Sequence, residues 1–477
     1  MKFRFKNIGP IEKAELELGD LTIIAGHNNT GKTYLVYTLY GFLKGFRELL
    51  LGKAGSRFIK SHFEKMVSLS MDELVSTLIA EGQVEWQVEE SFLIEEQARL
   101  IQEMTREFSK HRISGVFNTS QGQFEDSSLE FEFSSKIPLH LRHLFPLRTG
   151  SSLTIGYDGT KFDVLLNNSE PVSDSKTEPL VTKQVFELIC LLYLFPGAFE
   201  SSYRPFILSS ARHSIPLFTN ELDYVRSQVV RLLQQQEDEH NGESILGSDP
   251  LSNTSRYALP IHDNIDFSRS IPGQAERNDN KPKNVFPDDL ERMMGGYFTS
   301  VNGDLRFISS ADNRLDFDIP LHLASSSAWE MSNLYFFLGY FMDSGNRHFF
   351  IIDEPESHLD TANQIQFARL LARLVNSGVK VLITTHSDYI IKEINNLIML
   401  HSGFEDKDEI LEEFGYRADD HLDPGVVRSY IAEKETLTPC EIDEFGMAMS
   451  VFDETINSIN RAASKIATRK VLEAEGE

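Results

Sequence analysis

Residues 26–33 read Gly-His-Asn-Asn-Thr-Gly-Lys-Thr, with glycines at 26 and 31 followed directly by Lys32 and Thr33. A glycine-rich turn of this spacing lets several backbone N–H groups converge on one phosphate chain, and a helix starting behind it adds its positive N-terminal end. Gly26, Asn28, Asn29, Thr30 and Gly31 form the turn. Lys32 would bridge the β- and γ-phosphates, and the Thr33 hydroxyl would ligate Mg²⁺. So short a pattern also arises by chance in ordinary strand-to-helix turns. A second component must therefore come from elsewhere in the chain.

That component is "HFFIIDEPESHLD" at 348–360, an apolar run ending in two adjacent carboxylates, Asp353 and Glu354. A buried strand that delivers such a pair at its C-terminal end meets two needs together. Asp353 can hold the Mg²⁺ shell, and Glu354 can orient and polarise an attacking water. The plainer alternative is a strand ending in a solvated acidic turn. With the glycine loop also present, the pair points to a site that binds ATP with Mg²⁺ and hydrolyses it.

These residues need elements to position them. Ahead of the loop, "KFRFKNI", "EKAELEL" and "LTIIA" read as strands separated by Gly9-Pro10 and Gly19-Asp20, and "KTYLVYTLYGFLKGFREL" behind it has helical apolar spacing. "SFLIEEQARLIQEMTREFSKH" reads as a helix, "SSLTIGYDGTKFDVLL" as a hairpin and "KQVFELICLLYLF" as an apolar helix or buried segment. Further on, "DLRFIS" and "RLDFDIPL" pair as strands, "SAWEMSNLYFFLGYFMDSG" and "QIQFARLLARLVNSG" are helices, and "HFFIIDEPE" and "VKVLITT" are buried strands. "DYIIKEINNLIML" continues as a helix and then a strand. The alternation of apolar strands with helices predicts an α/β fold with a mostly parallel sheet flanked by helices. The first strands form an antiparallel part, and a large α+β insertion separates the two halves of the site.

Roughly 320 residues separate Lys32 from Asp353, far more than a bare nucleotide-binding core needs, so the intervening lobe is where specificity would reside. The expected organisation is an ATPase core at 1–45 and 301–402, an insertion at 46–300 and a helical tail at 403–477. Residues 234–285 are polar and turn-rich and predict an exposed, flexible stretch within the insertion.

Acidic residues outnumber basic ones by 72 to 46, a formal charge of −26 over 477 residues. That balance disfavours broad attraction to nucleic acid, leaving DNA or RNA only a local patch. Two cysteines far apart, Cys190 and Cys440, exclude a disulfide framework and make structural zinc of the usual Cys/His type a poor expectation. There is no apolar run of membrane-spanning length (~18 residues) and no signal-like start, so a cytoplasmic location and no membrane partner are expected.

"DEPESHLD" followed by "VLITTHSDYII", with "NIGPIEKAELELGDLTIIAGHNNTGKT" at the start, resembles ABC-type ATPases of the SMC/RecF/Rad50 and OLD-like branch. The resemblance implies that Asp360 belongs to the D-loop at a dimer interface and that His386 is the switch histidine sensing the γ-phosphate. Ser387 and Asp388 also suit a helix N-cap, and both roles can hold together. The family's signature segment maps onto "LASSSAWEMSNLYFF", which would present Ser325, Ser326 and Ser327 to the nucleotide of a second subunit. Plain capping by these serines is the alternative, and the segment departs from the transporter pattern LSGGQ. "RPFILSSARHSIPLF" is similar to a segment of SMC-like defence ATPases whose arginine lies near the site, which would place Arg212 beside phosphate; an ordinary surface arginine is the alternative. Gln184 is the only offer for the family's Q-loop.

Within the branch, the chain is similar to compact AAA15/AAA21-like ATPases, among them the PtuA-type ATPases of Septu and retron-linked phage-defence systems and the ATPase of PARIS. The tail "VVRSYIAEKETLTPCEIDEFGMAMSVFDETINSINRAASKIA" shares that likeness. The resemblance implies a head-to-tail dimer or larger assembly of the chain with itself, closed around ATP–Mg²⁺. The 77 residues after Leu400 are too few for a TOPRIM nuclease domain plus a helical tail, and no clustered His and Asn mark an HNH nuclease. The expectation is a separate effector protein, a nuclease, controlled in trans. The alternative is a RecF/Rad50-like DNA-repair ATPase, against which the acidic charge weighs. A transporter subunit is disfavoured by the missing LSGGQ.

Overall fold

The computed structural model describes residues 1–51, 71–87, 90–132, 141–146, 152–158, 160–167, 204–215, 257–283, 286–310, 317–342, 348–448 and 453–475. Gln184 and the "KQVFELICLLYLF" segment lie outside them.

Strands β1 (Lys2–Ile8) and β2 (Ile11–Glu17) alternate over Phe3 and Phe5 and over Ala14 and Leu16, which are buried between more exposed charged residues. The alternation breaks at Asn7, with φ 53°, before the buried Ile8 and Ile11. β3 (Leu21–Ala25) is buried at every position, as a central parallel strand requires. The phosphate-loop residues follow, and α1 (Lys32–Leu51) begins at the lysine itself. Next come β4 (Gln83–Gln87), α2 (Glu90–His111), β5 (Ser128–Glu132), β6 (Leu141–Pro146), β7 (Ser152–Tyr157), β8 (Lys161–Asn167) and β9 (Arg204–Leu208). The second half holds α3 (Leu259–Arg277), α4 (Pro287–Met294), β10 (Gly296–Val301), β11 (Asp304–Ser309), β12 (Phe317–Pro320), α5 (Ser326–Phe336), β13 (His348–Asp353), α6 (Thr361–Asn376), β14 (Lys380–Thr385), α7 (Asp388–Met399), β15 (Val427–Glu433) and β16 (Thr436–Pro439).

Nine strands form one mixed sheet in the order β5-β1-β2-β16-β15-β3-β14-β13-β9. β15, β3, β14, β13 and β9 run parallel, while β1 is antiparallel to its neighbours β5 and β2. Successive residues of β13 serve opposite faces: Phe349 and Ile351 join a core with Phe42, Phe108 and Phe131, and Phe350 and Ile352 join one with Leu370, Leu374 and Ile394. Helices therefore cover both sides, as expected for apolar strands that cannot face water. β4, β8, β7 and β6 make a separate antiparallel sheet containing the anticipated hairpin, and β10, β11 and β12 make another.

Several expectations give way to packing. "NNLIML" is no strand: α7 runs on to Met399 because Ile390, Ile391, Ile394, Leu397 and Ile398 fall on one helical face. The polar stretch 234–285 is not uniformly exposed, since its described part contains α3 with Ile265, Ile271 and Ala275 buried. Its polar composition and Pro272 hide that helix from a sequence reading. The main sheet draws β5 and β9 from within the stretch expected as a separate lobe. It also draws β15 and β16 from the stretch expected as a helical tail, which ends in a helix at Asp453–Glu475. No described helix is long and apolar enough to cross a membrane.

Candidate functional site

Parallel register brings the two sequence motifs together. Asp353 at the end of β13 is level with Thr384 of β14, and Thr385 is level with Ala25 of β3. The loop after β3, the acidic turn after β13 and the turn after β14 thus leave the sheet side by side at its C-terminal edge, where open α/β sheets place ligands.

The loop is shaped by its glycines. Gly31 has φ +91°, and a Cβ there would stand 2.7 Å from Cγ1 of Ile11. Gly26 donates its N–H to the Thr385 carbonyl at 3.2 Å, and a Cβ on it would meet the Ala432 carbonyl at 2.6 Å. The Thr30 hydroxyl donates to the His27 carbonyl at 2.9 Å, and Asn29 takes a left-handed conformation with φ 64°. Asn28 lies in the same exposed turn. Lys32 is 4% exposed, and its Nζ donates to the carbonyls of Gly26 and His27, both at 2.8 Å. Burial lowers its pKa, against the pull of Glu354, Asp353 and Glu356.

Thr33 Oγ1 lies 3.0 Å and 3.2 Å from the two carboxylate oxygens of the fully buried Asp353. Asp353 also accepts from the Thr384 hydroxyl at 2.6 Å, which fixes its orientation. Hydroxyl and carboxylate are the hard oxygen donors that Mg²⁺ selects, so the pair fits the metal of a nucleotide complex. Glu354 turns out of the strand with φ 53°, its N–H held by the Thr384 carbonyl and hydroxyl at 3.1 and 3.0 Å. Its carboxyl is half-buried. Burial and the neighbouring Asp353 raise its pKa, a shift that His386 and Lys32 oppose.

His386 Nδ1 lies 4.0 Å from Glu354 and 3.0 Å from Glu356 Oε1. Its hydrogen bond to Glu356 raises the imidazole pKa. Burial pushes Glu356 up, but the side-chain and backbone hydrogen bonds from His386 outweigh it and hold the carboxyl low. Glu356 also accepts from the Thr385 hydroxyl at 2.9 Å and the His386 N–H at 2.5 Å. Sequence reasoning missed Glu356 and Thr384. Their signal was present, as a third acid in "DEPE" and a Thr-Thr pair closing an apolar strand. Ser387 caps α7 by accepting from the Ile390 N–H at 3.2 Å, so the capping reading of that turn holds as well.

Arg212 is placed differently from its expected seat beside phosphate. It is 1% exposed and lies behind the acidic turn. Nη1 donates to the carbonyls of Asp353 at 2.6 Å and Ser209 at 3.0 Å, and Nη2 donates to the Glu354 carbonyl at 2.9 Å and pairs with the Glu330 carboxylate. With those donors engaged, the guanidinium is a brace for the acidic pair. Burial pushes Glu330 up to about 7 while Arg212 pulls it down. That carboxylate, a lone charge on the apolar α5, was also missed.

Ser325 caps α5, accepting from the Ala328 N–H at 3.3 Å, and its Oγ lies 3.0 Å from that of Ser327. Ser325 and Ser326 are exposed, so the start of α5 faces outward. Asp360 caps α6, accepting from the Asn363 backbone at 2.9 Å and its side chain at 3.0 Å. No described contact joins these serines or Asp360 to residues 26–33 of the same chain.

No curated protein matches the chain. Among solved structures it is similar to the SMC head domain from Thermotoga maritima, at 11% identity and TM-score 0.30 over 92% of this chain and 98% of that one. It is also similar to the Smc head domain from Pyrococcus furiosus, crystallised with an extended coiled coil bound to the C-terminal domain of ScpA, at 12% identity and TM-score 0.33 over 97% and 98%. Likenesses this faint carry no functional argument. Residues 260–391, from α3 into α7 and including Asp353, Glu354 and His386, match the family described as AAA ATPase domain.

Proposed function

We propose that this chain binds ATP with Mg²⁺ between residues 26–33 and 353–354 and hydrolyses the γ-phosphate. The observation that carries this reading is the meeting of Thr33 Oγ1 with the Asp353 carboxylate at 3.0 Å across 320 positions of sequence. Gly26 to Thr33 cradle the phosphates, and Lys32 turns its ammonium from the loop carbonyls to the β- and γ-oxygens. Thr33 and Asp353 hold Mg²⁺, which when bound neutralises charge on the phosphates. Glu354 takes a proton from water, its raised pKa bringing it nearer to neutrality as a base. His386, held by Glu356, faces the same place as a hydrogen-bond donor to charge.

Each chain supplies only part of this machinery. The exposed serines at the start of α5 and Asp360 suit the nucleotide of a second copy, so two copies would close head to tail around two ATP molecules. The likeness to PtuA-type ATPases supports a role in bacterial anti-phage defence, with a separate nuclease as the controlled partner and a cytoplasmic location. The test is Glu354→Gln. It should bind ATP, turn over at least about a hundredfold more slowly and accumulate as a closed dimer by analytical ultracentrifugation. Full turnover by this variant would remove Glu354 from the mechanism. Lys32→Ala should lose ATP binding, and both variants should abolish protection in a phage plating assay with the native operon.

A further inference from the structure

Behind the acidic turn, a second group of metal-type ligands comes together. His213 follows β9, Glu330 lies on α5, and His358 lies between Glu354 and Asp360. One ligand atom from each falls within 4.8 Å of the others. The two imidazole rings stack with centroids 3.9 Å apart at 21°, and Trp329 packs at 5.7 Å from His213.

We infer that His213, Glu330 and His358 form a binding site for a divalent transition metal of the zinc class, distinct from the Mg²⁺ position at Thr33 and Asp353. Two imidazoles and one carboxylate form a donor set that selects Zn²⁺ or its neighbours over Mg²⁺ or Ca²⁺. An independent observation points the same way. Glu330 is wholly buried, and while Oε1 pairs with Arg212, Oε2 makes no hydrogen bond among the described residues. The Nδ1 of His213 is buried in the same condition. Buried polar atoms left in that state are costly unless they serve a ligand.

Four-coordinate zinc with bonds of about 2.0–2.1 Å needs ligand atoms only ~3.3 Å apart. His358 is exposed, so ring rotation can close the gap without moving the core. A metal there would tie the turn carrying Glu354 to α5 and to the segment that supplies Arg212. It would stiffen the joint between the hydrolytic residues and the serine-tipped helix.

The experiment uses the full chain, stripped with chelator and titrated with Co²⁺ and Zn²⁺ in millimolar Mg²⁺ to occupy the nucleotide-site oxygens. Visible absorption reports the coordination of cobalt, and calorimetry reports zinc stoichiometry. The expected result is one equivalent, with the intense bands of four- or five-coordinate cobalt. His358→Ala, a surface change that keeps the fold, should weaken binding at least tenfold, and His213→Ala likewise. Asp353→Asn should keep the cobalt bands. Absence of binding by the unaltered chain, or equal binding by His358→Ala, would overturn the site; so would loss of the bands in Asp353→Asn alone. Lys32→Ala losing ATP while keeping cobalt would separate the two sites.

Discussion

His386 Nδ1 lies 3.0 Å from Oε1 of Glu356, a carboxylate that also accepts the backbone N–H of the same histidine. One buried acid thus fixes both the ring and the main chain of the residue expected to sense the γ-phosphate. Glu356→Gln keeps the shape and removes the charge. The imidazole pKa, followed by NMR, should fall. ATP turnover should drop by about ten- to a hundredfold, the scale of a lost hydrogen bond between charged groups. An unchanged titration would show that Glu356 is not what raises His386.

The same pair sets a pH window for stability. His386 has its pKa raised from 6.5, so its contribution is complete below pH 6.5 and is lost as pH rises through the folded value. Glu356 is lowered from 4.5, so its contribution is present above pH 4.5 and is lost as pH falls through the folded value. The Tm difference between the unaltered chain and Glu356→Gln should therefore peak between those values and shrink on either side. Thermal melts across pH 3.5–8.5 (roughly the span of both titrations) would reveal a flat difference if the pair is unimportant.

Arg212 and Glu330 form a buried ion pair beneath the acidic turn. Arg212→Ala strands a buried carboxylate and frees the carbonyls of Asp353 and Glu354. It should cost about 3–5 kcal/mol in urea unfolding. The double change Arg212→Met with Glu330→Leu should recover much of that stability while turnover stays low, because the brace on residues 353 and 354 is still absent. If activity returns with stability, Arg212 has no positioning role.

Ser325 has a local duty, capping α5, and an expected one across the dimer. Ser325→Ala should cost about 1 kcal/mol in stability as a lost cap. Carried in the Glu354→Gln background, it should also weaken ATP-dependent dimerisation by severalfold in sedimentation. A purely structural serine would alter the first measurement and spare the second.

The phosphate loop and the acidic pair were legible because their chemistry is written in contiguous residues, and "LTIIA" and "HFFIID" mark buried strands by composition alone. Glu356, Thr384 and Thr385 gain their parts only from the alignment of β13 with β14, which no local pattern encodes. Arg212 illustrates the limit of residue type: a guanidinium suits phosphate and backbone carbonyls equally, and only burial at 1% decides. The helix at Leu259–Arg277 stayed hidden because polar residues such as Asn264 do core work, its side chain accepting from the Ser209 N–H at 2.9 Å.

In the parallel part of the sheet, β3 has β14 on one edge and β15 on the other. During synthesis the loop at 26–33 leaves the ribosome early, yet its supporting strand gains its first neighbour only with Lys380–Thr385 and its second only with Val427–Glu433. Nascent chains would therefore carry an unassembled nucleotide pocket for nearly all of translation, with long-range pairings left until last. Any lesion in Val427–Glu433 should be felt first at the amino-terminal loop, through the Ala432 carbonyl that abuts Gly26.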